Sequence, residues 1–322
     1  MSPREEIDLS RARTIPVAER PTKVRVEQFA PAPDPLAPQG AFDRFLPDIL
    51  AGASLRALIG AWNEAIHRKR PVLAMMGGHV IKTGVQRPLL ALVDRGAFTA
   101  LGMNGAAAIH DFEIAMWGNT SEPVEETLGS GRFGMVEETP VLMNRAVNEG
   151  AGKGLGMGEA LGRFLLDARA PHADLSLLAR AAERSLPLTV HVAIGTDTLH
   201  QHASFDGAKT GLASHRDFKI LAAAMKELSG GLVLNFGSAV IMPEVFLKAL
   251  SLVRNLGFDA GAFTAANFDQ IRHYRPEKNV LERPLHAGGR GLSFVGPHEL
   301  MIPLVATLLL ARLDEGGAGS AP

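Results

Sequence analysis

Short, nearly all-apolar segments alternate with amphipathic helical ones along most of this chain, and that alternation constrains the fold more than any other feature. An apolar face recurs at helical spacing through ASLRALIGAWNEAIHRKR (53–70), and PVLAMM (71–76) then reads as a buried strand opening onto Gly77 and Gly78. A helix over 85–96, with its proline in the first turn, leads to a second apolar strand at 98–103. Helices at 173–185, 218–228 and 244–257 precede strands at 187–194, 231–237 and 259–265. Strands with no polar face, separated by helices, imply an α/β layered fold: a mostly parallel central sheet flanked by helices.

The chain has 322 residues, 46% of them hydrophobic, which is ample for a core. The expected organisation is an N-terminal extension or oligomer arm over 1–45, rich in proline and charge, then a single α/β domain over 46–314 and a short tail over 315–322. The glycine-studded stretch 127–158 shows no clear period and reads as a long loop, with a helix around 140–149. Thirty-three basic residues against 34 acidic ones leave a net charge of −1, which argues against a general nucleic-acid surface. With no cysteine the chain has no thiolate nucleophile and no disulfide. No secretory leader or membrane span is read, so the expectation is a cytoplasmic protein with no membrane partner.

In an open parallel sheet, ligands collect at the carboxyl ends of the strands. Five stretches are expected there: 77–84, 104–111, 195–202, 236–244 and 264–269. Their glycines suit close backbone approach to a ligand, yet neither GxGxxG nor GxxxxGK[ST] follows the first strand. GxSxG is absent too, which removes the usual serine-hydrolase elbow. His110 suits acid–base work, with Asp111 or Glu113 to orient it. Asp197 and His200 suit polar contacts to substrate or cofactor, and Asp269 a ribose or an amine; no metal site is expected, since HExxH is missing. Lys82 suits a phosphate or an imine. The competing readings are turn glycines, helix-capping His110 and Asp111, and a solvated lysine.

From about 53 to 312 the order of segments resembles the deoxyhypusine synthase family. The resemblance lies in PVLAMMGGHVIKTG (71–84), the HD turn at 110, PLTVHVAIGTD (187–197), LVLNFGSAV (232–240), TAANFD (264–269) and HELMIPLVATLLLARL (298–313). It implies a Rossmann-like NAD-binding fold assembled as a homotetramer, with sites between paired subunits, that oxidises spermidine and passes a butylamine group through an enzyme lysine to a lysine of a translation factor. By the same resemblance Thr83, Gly84, Asn104, Gly105, Gly237, Ser238, Thr264, Ala265 and Asp269 are cofactor contacts, and His110 stands where the family carries an acidic one. The family's lysine segment corresponds here to VLERPL (280–285), where Glu282 replaces a tryptophan and Pro284 the lysine; no lysine follows Lys278.

The expectation is an NAD-dependent enzyme acting on a small amine or polyamine without a lysine imine. In it His110 or His200 moves a proton, and Asp197, Glu282 or Asp269 holds a cation. Two alternatives stand beside it: an enzyme of the same fold that does not use NAD, and an oligomeric binding or regulatory protein whose site has decayed.

Overall fold

The computed structural model describes residues 9–22, 24–26, 29 and 49–318. Six parallel strands form the central sheet. In chain order the strands are β1 (Val24–Arg25), β2 (Val72–Met76), β3 (Ala100–Asn104), β4 (Asn119–Thr120), β5 (Leu188–His191), β6 (Leu232–Phe236), β7 (Phe263–Asp269) and β8 (Gly289–Val295). The sheet order is β5-β3-β2-β6-β7-β8, and β1 pairs antiparallel with β4 in a small separate ribbon. The longer helices are α1 (Leu50–His67), α2 (Gly78–Lys82), α3 (Gln86–Asp94), α4 (Gly105–Trp117), α5 (Glu138–Gly152), α6 (Met157–Asp167), α7 (Leu177–Glu183), α8 (Gly207–Ala224), α9 (Ile241–Asn255) and α10 (His298–Ala318), with short turns between.

Successive strand side chains point to opposite faces, and the two cores divide accordingly. Val72, Ala74 and Met76 of β2 join a cluster with α1, α3, α4 and α10, whereas Leu73 and Met75 join one with Phe246 and Ala249 of α9 and Leu221 of α8. Both faces of the sheet are therefore dry, as nearly continuous apolar strands require.

The chain order sets the position of any ligand. From β2 the chain moves outward to β3 and β5, then crosses back to β6 on the other side of β2 and continues to β7 and β8. Connections leave β2 and β6 in opposite directions, so a crevice opens between their carboxyl ends, the position where doubly wound sheets bind ligands. The crevice floor is built by residue type. Phe236, Phe268 and Phe294 lie side by side on β6, β7 and β8 and stack with centroids 5.0 and 4.6 Å apart. On the opposite face Asn235 donates to Asn267 Oδ1 at 2.7 Å and to the Ser238 carbonyl at 3.0 Å, locking the end of β6 to its neighbour.

Two local expectations change, and one strand was not expected at all. The strand expected at 259–265 runs from Phe263 to Asp269, because Asn267, polar but hydrogen-bonded inside the sheet, continues it. The expected loop 127–158 holds α5, where a helix was expected around 140–149, and also the start of α6, so little of it is loop. Gly150 and Gly158 are bare because a Cβ would lie 2.4 Å from Ala160 Cβ and 2.0 Å from the Leu188 carbonyl oxygen. Strand β8 is an edge strand whose first three residues are exposed, and GRG carries no strand signal.

Candidate active site

Gly77 and Gly237 cap the carboxyl ends of β2 and β6, and each extends its ladder by one bond: Gly77 N–H to the Phe236 carbonyl at 2.9 Å, Gly237 N–H to the Phe268 carbonyl at 2.9 Å. Their missing side chains serve the protein itself. A Cβ on Gly77 would lie 2.2 Å from the Gly237 carbonyl oxygen, and one on Gly237 (φ 60°) would lie 2.5 Å from His298 Nε2. Gly78 is bare for Ala106 and His110, and Gly105 for the Asp197 carboxylate, 2.0 Å from a Cβ there. These glycines bring polar side chains close; they do not leave an open backbone cradle.

The side chains gathered at the crevice come from four strand ends. His79 in α2 packs against His298, the first residue of α10, with ring centroids 5.8 Å apart and planes tilted by 54°, and meets Gln270 just beyond β7. Asp269, the last residue of β7, accepts its neighbour Gln270 N–H on Oδ1 at 2.8 Å, while His273 Nε2 stands 3.8 Å from Oδ2. Asp269 Oδ2 and both ring nitrogens of His298 are buried without a hydrogen-bond partner among the described residues. Burial lowers the His298 pKa, the Asp269 charge opposing and the nearby His79 reinforcing that shift.

His110 enters from α4. Its Nδ1 lies 2.7 Å from Thr120 Oγ1, and its Cδ2 edge faces Gly78 at the start of α2. Burial is the main cause that pulls its pKa from 6.5 to about 4, with Glu113 opposing and Lys82, Arg20 and His79 reinforcing. At neutral pH it is therefore an uncharged imidazole, and His79 lies near enough to act on both His110 and His298.

The residues expected from the sequence thus separate. His110 and Asp269 belong to the crevice, and Gly237 and Ser238 form its β6 edge, where Ser238 Oγ accepts the Met242 N–H at 3.2 Å and caps α9. Thr83 ends α2 by donating to the Val80 carbonyl at 2.8 Å, and Gly84 turns the chain with φ 76°. Asn104 caps α4 by accepting the Ala107 N–H at 2.9 Å. Asp197 and His200 meet each other instead of His110. They form a reciprocal capping box around the turn Thr198–Gln201, where His200 Nδ1 accepts the N–H groups of Gly195 and Asp197. Both side chains are buried, 7% and 4% exposed, with Asp197 Oδ2 3.9 Å from His200 Nε2, and burial raises the Asp197 pKa to about 6.

Four expected residues stand elsewhere. Thr264 and Ala265 lie near the amino end of β7, opposite Leu232 and Val233, about 16 and about 13 Å of strand away from Asp269 at roughly 3.3 Å per residue. Glu282 is exposed and paired with Lys278, four residues back, while Pro284 is buried in the following turn. Asp111, adjacent to His110, points the other way and caps α7: it accepts Ser176 Oγ at 2.5 Å, Leu177 N–H at 2.9 Å and Leu178 N–H at 3.0 Å.

Sequence reasoning passed over His79, Gln270 and His298. The signal was present in position: His79 directly follows the glycine pair, Gln270 follows Asp269, and His298 opens the last helix. A second signal was the repeated ending of three strands, LNF, ANF and LSF, which aligns the aromatic floor. Among the described residues no group of three or more His, Asp or Glu side chains is arranged to hold a metal ion. None of the described helices is long and apolar enough to cross a membrane.

No protein-family model matches the chain, and no curated protein does so. Solved structures do. Unliganded AgrE is similar over 83% of this chain and 34% of its own, with 15% identity and a TM-score of 0.50. A conserved putative LOR/SDH protein from Methanococcus maripaludis S2 is similar over 88% of this chain and 73% of its own, at 14% identity and a TM-score of 0.49. A deoxyhypusine synthase, itself described as putative, from Entamoeba histolytica covers 81% of this chain and 88% of its own, at 9% identity and a TM-score of 0.47. The chain spans about a third of the length of AgrE and of the cyanobacterial arginine dihydrolase ArgZ, 34% and 33%. At such identities the likeness is one of fold, and the α/β architecture read from the sequence is the one observed.

Proposed function

We propose that this protein uses NAD to act on a small amine, with both held at the crevice between β2 and β6. One observation carries the reading: at the switch point of a doubly wound sheet, Asp269 Oδ2 and both His298 nitrogens are buried without hydrogen-bond partners, with His79 against His298 and the uncharged ring of His110 against the neighbouring Gly78. Leaving a buried polar group unpaired costs about 1–3 kcal/mol, and such groups collected at a strand-end crevice are what a polar ligand relieves. The donor set fits a dinucleotide: a carboxylate oxygen for a ribose hydroxyl, and imidazoles able to donate or accept toward an amide or hydroxyl.

NAD, when bound, supplies the hydride acceptor. The chain's own part is orientation. Asp269 anchors a hydroxyl or a cationic amine, His298 is held against Gly237 in a dry position, and His110 Nε2 accepts a hydrogen bond from the reacting group. With a pKa of about 4, His110 orients an N–H or O–H donor without taking up a second ring proton at neutral pH. The family's lysine imine has no counterpart in this scheme, since neither Glu282 nor Pro284 carries an amine and no lysine follows Lys278.

A paired assembly fits the same surface. Val295 ends β8, and Ile194, Val240, Ile271, Tyr274 and Leu300 lie in the segments that follow β5, β6, β7 and β8 at the carboxyl edge of the sheet; all six are exposed by 46–67%, apolar surface of the kind that marks an interface. Copies of the chain meeting across this surface, up to a homotetramer, would close the crevice from water.

The test is thermal unfolding with and without NAD, followed by NADH absorbance when spermidine or ornithine is added. Stabilisation by NAD and NADH formed with one of these amines are expected. A folded protein that NAD fails to stabilise would end the cofactor assignment and favour the reading of a repurposed or decayed site.

A further inference from the structure

His110 is tied to the N-terminal segment through buried groups only. Arg20 donates from NH1 to Glu113 Oε1, and Thr139 Oγ1 donates to the same oxygen at 2.9 Å. Thr120 Oγ1 donates to Glu113 Oε2 at 2.5 Å and lies 2.7 Å from His110 Nδ1. Arg20, Glu113, Thr120 and Thr139 are each at least nine-tenths buried. The segment bearing Arg20 is fastened on both sides: Ile15 bridges Val136, and β1 pairs with β4, placing Val24 opposite Thr120.

Counting protons along this chain gives a direction. An ionised carboxylate only accepts, so all three donors point at Glu113, and the single hydroxyl proton of Thr120 is used there. The Thr120 oxygen then has only lone pairs to offer His110, which makes Nδ1 the protonated nitrogen. An uncharged ring with its proton on Nδ1 has a lone pair on Nε2. Shielded from water, such a relay holds its polarity firmly.

We propose that Glu113, held by Arg20 and Thr139, is a positioning residue: acting through Thr120, it keeps Nε2 of His110 a proton acceptor toward the crevice. The inference rests on the reading of His110 as a ligand contact and adds the device that fixes its tautomer. It also gives the N-terminal segment a role at the site, because Arg20 and Thr139 decide which oxygen of residue 113 must be a pure acceptor.

Glu113→Gln tests it with almost no change of shape. Two donors converge on the Oε1 position, so the amide oxygen must settle there and the NH2 group must face Thr120. Thr120 then accepts from residue 113 and donates to His110 Nδ1, moving the ring proton to Nε2. Nitrogen-15 NMR of the histidine rings reads this directly, with the His110 signals assigned from their loss in His110→Gln. The expected result is a predominant Nδ1–H tautomer in the wild type and a predominant Nε2–H tautomer in Glu113→Gln. Wild-type protein with Nε2–H, or a folded Glu113→Gln that keeps Nδ1–H, would overturn the proposal. Should Glu113→Gln fail to fold, Thr120→Val and Thr120→Ser decide: the Nδ1–H preference is lost in the first and kept in the second, and its survival in Thr120→Val refutes the relay. The spectra need no ligand, so their outcome is independent of whether NAD binds.

Discussion

Two adjacent residues carry the sharpest lesson at the scale of single side chains. His110 and Asp111 stand together in the sequence as a pair suited to acid–base chemistry, but adjacent helical positions lie about 100° apart and do not face each other. His110 turns to the crevice and Asp111 to the start of α7. Asp111→Ala would strand three buried donors, each costing about 1–3 kcal/mol, so chemical denaturation should show at least about 2 kcal/mol of lost stability; a change under about 0.5 kcal/mol would contradict the capping role. For His110 the measurement is pH dependence. Its folded pKa of about 4 lies below the ordinary 6.5, so between these values the unfolded chain binds more protons and stability falls as pH falls. Asp111 and Asp197, raised to about 6, act in the opposite sense over roughly pH 4 to 6. His110→Gln should therefore lose less stability than the wild type between pH 7 and 4.5, measured by urea midpoints at both.

At the scale of elements, α4 illustrates how a sequence motif serves both structure and site. Asn104 caps its first turn, and Gly118 ends it in the left-handed conformation at φ 67° with its N–H on the Ile114 carbonyl. Asn104→Ala should cost about 1 kcal/mol of stability and Asn104→Asp should recover it; equal melting temperatures for all three proteins would remove the cap from the account. The internal strands were legible because burial on both faces leaves a continuous apolar run, as in VLAMM and LVLNF. The edge strand β8 and the glycine-bearing start of α6 were not, since exposure in one case and close packing in the other erase the pattern. The strand end expected at 265 fell short for a different reason: a buried asparagine looks like a loop residue until its partner, Asn235, 32 positions away, is known.

For the whole molecule, the decisive property is strand order, which no local pattern contains. The alternation of elements was readable, but the return of the chain from β5 to β6 across β2 brings Gly77 beside Gly237 and His79 beside His298, residues separated by 160 and 219 positions. Chemistry at the crevice is therefore a product of topology, and the candidate histidines could not be grouped before it was known. The apolar surface at the carboxyl edge makes a second prediction at this scale: Ile271→Lys, a charge placed on a side chain exposed by 61%, should shift the protein to smaller species in sedimentation. An unchanged assembly, or a monomeric wild type, would contradict pairing through this face.

The measurement closest to the central claim is calorimetric titration of NAD into the wild type and Asp269→Asn in parallel. Asn at 269 can still accept the Gln270 N–H through its oxygen, so the fold is retained while the acceptor at Oδ2 is lost. Binding to the wild type and an affinity lower by about tenfold or more in the variant, roughly 1.4 kcal/mol, are predicted. No binding to a folded wild-type protein, or equal affinity in the two, would contradict the placement of NAD at this crevice.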